Sequence, residues 1–112
     1  EPFFAPGAHI VNISSMGGYQ GAYKYPGLAA YASSKAALVG LTECLQAEWG
    51  DRGWTFNALC LGAVQTEMLA EAFPGYTAPT TPETMGGYIA RFVLTGHETY
   101  AGAVLPVTKS NP

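Results

Sequence analysis

Tyr31 and Lys35 bracket the run Tyr31-Ala32-Ser33-Ser34-Lys35. Four residues is slightly more than one helical turn, so on a helix both side chains leave the same face. A phenol, with a reference pKa near ~10, is a poor acid or base at neutral pH. An ammonium group a few ångströms away favours the phenolate, and the pair can pass a proton to or from a carbonyl or alcohol oxygen. The spacing alone is a weak signal; its plainer reading puts Tyr31 on the core side and lays the Lys35 stem along the surface. Two further hydroxyls, Ser14 and Ser15, close the apolar run AHIVNISS. In open α/β sheets ligands bind beyond the carboxyl ends of strands, although turn capping is the competing role for Ser15. A second apolar run, TFNALCL, ends at Gly62, and Thr66 follows four residues later. A hydroxyl, a phenol–ammonium pair and a glycine turn would then collect along one sheet edge.

The elements that must position these groups are readable from pattern. Residues 8–15 are apolar and β-branched between Pro6-Gly7 and Gly17-Gly18, which suits a strand buried on both faces, as in a parallel sheet. Residues 16–28, rich in Gly, Tyr and Pro, read as a loop. Residues 29–50 lack Pro, and Ala32, Ala36, Val39, Leu41 and Leu45 recur at helical steps, predicting the longest helix, stopped by a left-handed Gly50 or Gly53. Residues 55–61 give a second buried strand, completing a βαβ unit. Residues 66–73 are expected to form a short helix and 74–79 a loop. Thr81-Pro82-Glu83 has the cap, proline and acid of a helix start; that helix runs to about Thr95, where Gly96 stops it. A last short strand covers 103–107. The fold class is α/β.

Composition narrows the function. A chain of 112 residues holds one domain at most. Charged residues make up 12% where globular chains run near ~25%, so part of the surface is expected to face other protein. A net charge of −3 with no basic stripe argues against a nucleic-acid partner. No apolar run reaches the roughly 20 residues of a membrane span, and no signal peptide is visible. Cys44 and Cys60 lack metal-ligand spacing and are expected to be reduced, buried thiols in a cytoplasmic protein, with no metal site. His9 and His97 have no obvious acid to orient them and are read as structural. Glu67 and Glu71 are read as a solvated stripe. No G-x-S-x-G elbow supports a serine hydrolase.

Taken in order, IVNISSMGG, YASSK, ALVGLTECLQAEW and FNALCLGAVQT resemble the second half of a short-chain dehydrogenase/reductase of the single-domain branch. The resemblance implies the C-terminal half of a Rossmann-type doubly wound parallel sheet. It implies an NAD(P)-dependent oxidoreductase moving a hydride between NAD or NADP and a small carbonyl or secondary alcohol. Ser15 would hydrogen-bond the substrate oxygen, and Tyr31 would be its general acid or base. Lys35 would tune Tyr31 and hold the nicotinamide-ribose hydroxyls. Gly62, Val64 and Thr66 would lie on the nicotinamide side, Val64 through its backbone and Thr66 through its hydroxyl. A homodimer or homotetramer built on the long helix, using Leu38, Leu45 and Trp49, is also implied.

Departures from the family pattern are specific. Leu61 stands where Pro is usual, and Ser15 and Tyr31 are separated by about three extra residues. Val107 leads to Thr108-Lys109-Ser110-Asn111 rather than to a Gly-Gly turn. The glycine-rich dinucleotide fingerprint is missing, since neither Gly17-Gly18 nor Gly86-Gly87 fits it. Residues 1–112 therefore read as a partial domain, whose sheet edge needs the missing N-terminal half. Two alternatives remain: an incomplete piece serving mainly for association, and an epimerase or dehydratase of the same fold.

Overall fold

In the computed structural model, which describes residues 4–18, 29–62, 75 and 80–109, the run TFNALCL forms strand β2 (Thr55–Leu61) at the centre of a three-stranded sheet. Strand β1 (His9–Ser15) flanks it on one side and β3 (Val104–Val107) on the other, and both pairs are parallel. Helix α1 (Ala29–Trp49) connects β1 to β2, and helix α2 (Pro82–Thr95) precedes β3. This is the expected α/β class with a parallel, Rossmann-like sheet. The short helix expected at 66–73 and the loop at 74–79 fall, but for Gly75, outside the described residues.

Side chains alternate between the two faces of a strand. Asn12 and Ser14 bond to α1, whereas His9 bonds to Val93 of α2, so the helices cover opposite faces. Strand β2 is buried throughout 56–60. Strand β1 departs from the expectation of two buried faces: only Ser14 is buried, and Ile13 is 37% exposed. Its one strand neighbour among the described residues is β2, and α2 meets it at His9.

Helix α1 also turns differently from its apolar letters. Its one buried residue is Thr42, whose hydroxyl donates to the Leu38 carbonyl at 2.8 Å and accepts from Asn12 Nδ2 at 2.9 Å. The covered stripe runs through Ala32, Lys35, Leu38, Val39, Thr42, Leu45 and Trp49, leaving Ala36 exposed and Leu41 51% exposed. The same phase corrects the expectation for Cys44, which is exposed; Cys60 on β2 is buried as anticipated. Trp49 packs edge-on against Trp54 at 5.9 Å and near Phe56 at 6.2 Å, so its ring is used inside the fold. Gly53 supplies the left-handed stop (φ 84°) after a 3-10 turn at Gly50–Arg52. At the start of α2 the Thr81 hydroxyl accepts from the Thr84 amide, as the Thr-Pro-Glu signal predicts. Gly96 follows that helix for a different reason: a Cβ there would sit 2.7 Å from the Phe92 ring.

The amino end of the sheet is closed by Asn57, which is fully buried. Its Oδ1 accepts from the Ala103 amide at 2.9 Å, so its Nδ2 donates to the Tyr100 carbonyl and to His9 Nε2, each at 3.0 Å. His9 Nδ1 must then carry the ring proton, which it donates to the Val93 carbonyl at 3.0 Å. The His97 ring stands 5.1 Å away. His9 is structural, as its lack of an acid partner implied. Burial foremost, with His97 adding to it and the Val93 bond opposing, pulls its pKa below the ordinary value. Among the described residues no helix is long and apolar enough to cross a membrane, and no cluster could hold a metal ion.

Two outcomes follow for stability. Asn57→Ala leaves the Ala103 amide, the Tyr100 carbonyl and His9 without their part-buried bonds and is expected to cost about 2–4 kcal/mol in urea unfolding. A lowered folded pKa means that the unfolded chain takes up a proton which folded His9 resists. The His9 contribution is therefore whole above the ordinary value of about 6.5 and is lost as pH falls through the lowered one. Unfolding free energy measured from pH 7 to 5 should fall more steeply for the parent chain than for His9→Gln; equal slopes would contradict this.

Candidate active site

Parallel strands place their carboxyl ends on one edge, and Ser15, Leu61 and Val107 end the three strands there. Ser15 stands opposite Leu61 in register. Beyond Ser15 the chain makes a 3-10 turn, Met16–Gly18, in which Met16 and Gly18 are buried. Gly18 lies directly on α1: a Cβ built on it would be 2.6 Å from both the Ala36 nitrogen and the Lys35 carbonyl carbon. One residue before Ser15, the buried Ser14 hydroxyl donates to the Lys35 carbonyl at 2.9 Å. The segment carrying Ser15 is thus fastened on both sides of that residue to one turn of α1.

The same turn carries the phenol and the ammonium. Lys35 Nζ lies 5.7 Å from the centroid of the Tyr31 ring, within the range of a cation–π contact. Tyr31 is 39% exposed and Lys35 half-buried, so the pair is open at this edge rather than sealed in the core. That excludes the plainer reading of Tyr31 as a core residue. The Ser34 hydroxyl donates to the Tyr31 carbonyl at 2.8 Å and is occupied within the helix.

Gly62 follows β2 on the same edge, where its amide donates to the Val107 carbonyl at 2.9 Å. The Thr108 side chain fills the space that a Cβ on Gly62 would take. Gly62 is therefore needed for a close approach between strand ends, not for a left-handed backbone. Val64 and Thr66 lie outside the described residues, as does the segment 19–28. Residue type alone does not point to Ser14 and Gly18 for this role. Their signal is positional, because Ser14 has the parity of the α1-facing residues and Gly18 comes one turn after the strand.

Chemically, a hydroxyl, a phenol and an ammonium on one open edge can bind an oxygen atom and move a proton to or from it. The chain is similar in sequence and fold to known proteins. A family model described as short chain dehydrogenase matches residues 4–77. Oxidoreductase UcpA of Salmonella typhimurium is 45% identical over 76 residues, which are 68% of this chain and 28% of that protein. A short chain dehydrogenase from Burkholderia cenocepacia, solved in complex with NADP, superposes with a TM-score of 0.73 at 26% identity, covering 93% of this chain and 45% of the other. A 4-hydroxyisoleucine dehydrogenase complexed with NADH gives 0.68 at 25% identity, covering 90% and 44%. The chain thus spans less than half the length of these relatives.

The close approach at Gly62 can be tested directly. Gly62→Ala is expected to destabilise the fold by about 1–3 kcal/mol through overpacking. Adding Thr108→Gly should recover part of that loss in thermal unfolding; no recovery would remove Thr108 as the obstructing group.

Proposed function

The chain belongs to the short-chain dehydrogenase family, and on that footing we propose that it is the catalytic part of an NAD(P)-dependent oxidoreductase acting on a small carbonyl compound or secondary alcohol. The observation that carries the reading is the Lys35 ammonium 5.7 Å from the Tyr31 ring centroid, on the α1 turn tied to the strand end that bears Ser15. Two relatives solved with NADH and with NADP support a nicotinamide dinucleotide as the cofactor.

The residues at this edge fit such a cofactor. Lys35 offers an ammonium with three donors, suited to a pair of ribose hydroxyls. Gly62 lets the end of β2 lie close against Thr108, and the resemblance places Val64 and Thr66 on the nicotinamide side. When bound, the nicotinamide supplies or accepts a hydride at the substrate carbon. In the oxidation direction the Ser15 hydroxyl holds the substrate oxygen, and Tyr31 as phenolate takes the hydroxyl proton. In the reduction direction the phenol returns that proton to the carbonyl oxygen. Lys35 stabilises the phenolate by its charge and holds the ribose.

The test is Tyr31→Phe, assayed with a panel of secondary alcohols and with NAD⁺ and NADP⁺ in turn. Turnover is expected to fall by roughly 10²–10⁴-fold, the contribution of a positioned acid or base, while cofactor affinity is kept. Turnover at the parent rate would remove Tyr31 from the mechanism.

A further inference from the structure

Among the described residues, little apolar packing holds the amino-terminal half of α1. Between residues 29 and 37 none is buried, and only Ala32 and Lys35 are half-covered. Apolar contact is non-directional, so a helix resting on an alanine and a lysine stem can slide along its axis at small cost. Yet this stretch carries Tyr31 and Lys35. A misplacement of about 1 Å can cost on the order of 10²-fold in rate, so some directional contact has to set its height.

Two contacts from the end of β1 do so. Ser14, 3% exposed, donates to the Lys35 carbonyl at 2.9 Å. That carbonyl is also where the helix bond from the Val39 amide belongs, so Ser14 uses its second lone pair and leaves the helix intact. Gly18 supplies the opposing limit, because its backbone already rests on Lys35 and Ala36 without space for a Cβ. A hydrogen bond draws the helix in, and steric contact stops it. The link extends to the central strand through the buried Cys60 thiol, which hydrogen-bonds with Ser14. Burial pushes the Cys60 pKa up, more than the Ser14 bond lowers it, and so keeps the proton on sulfur.

We propose that Ser14 is a positioning residue for the proton transfer, acting through the Lys35 carbonyl and braced by Gly18 to hold Tyr31 and Lys35 at a fixed height beside Ser15. It touches none of the reacting atoms. The effect reaches Tyr31 because the phenol is attached one turn away, about 6 Å along the axis of the same rigid helix. The inference rests on the proton-transfer role given to Tyr31 above.

The experiment compares Ser14→Ala, Ser14→Thr, Gly18→Ala and Thr42→Val in the full protein, with Tyr31→Phe alongside. kcat and KM are read with the secondary alcohol that the panel identifies, and amide exchange is read along α1. Ser14→Ala is expected to lower kcat about 10–100-fold with a much smaller change in KM. Amides in the first turns of α1 should exchange faster. Ser14→Thr, which keeps the hydroxyl, should restore both the rate and the exchange. Thr42→Val, which loosens the helix two turns further on, should lower stability and leave kcat near the parent value. Should Ser14→Ala not fold, Gly18→Ala is expected to lower kcat in the same way. Parent kcat in the folded Ser14 or Gly18 variants, with Tyr31→Phe inactive, would overturn the positioning role alone. Turnover retained by Tyr31→Phe would instead overturn the reading beneath it.

Discussion

Backbone meets backbone where Gly18 rests on Lys35 and Ala36, and the neighbouring Ser14 hydroxyl closes the same contact with a hydrogen bond. A side chain on Gly18 would hold the chain and the helix apart. Its absence lets the segment after β1 and an early turn of α1 lie in direct contact. The arrangement is tolerable because its polar groups are paired: among the described residues no buried side-chain nitrogen or oxygen lacks a partner, which avoids the desolvation cost of an orphaned group. A second polar contact, from Asn12 to Thr42 and on to the Leu38 carbonyl, repeats the device further along the helix. Polar contacts from β1 thus meet α1 at two heights, Lys35 and Thr42.

The two ends of the sheet do different work for the same topological reason. Parallel strands gather all their amino ends on one edge and all their carboxyl ends on the other. The amino edge is sealed around Asn57, whose amide satisfies two backbone groups and a neutral histidine at once. That closure ties β3 to β2 through Ala103 and holds α2 against β1 through Val93. At the carboxyl edge, the side chains among the described residues are a hydroxyl, an exposed phenol and a half-buried lysine.

How far the sequence could be read depended on which signal each residue carried. Strand β2 was legible to its last residue, because burial on both faces leaves an unbroken apolar run between Trp54 and Gly62. The start of α2 was legible because a hydroxyl cap followed by Pro82 has few other uses. Helix α1 is legible in the pattern, but its rotation is not. Apolar spacing points Leu41 and Cys44 to the core, yet both are exposed, because Thr42 occupies the inward position. An apolar tally has no means of crediting a threonine whose hydroxyl bonds both to its own helix and to a strand asparagine. Strand β1 was read as buried on both faces from its composition, which reports what a strand could bury and not what covers it here.

From its sequence alone this protein determined its parallel α/β class, the order of its described strands and two long helices, and a phenol–ammonium pair whose helical spacing needs only a local backbone. Those properties rest on neighbours a few residues apart, so the one-dimensional pattern contains them. Only the tertiary structure decided that Ser14 and Gly18 clasp Lys35 from across the chain, that Thr108 makes Gly62 necessary, and that Asn57 fixes the tautomer of His9. Each joins residues distant in sequence. Its outcome depends on strand register and helix height, which no local propensity specifies.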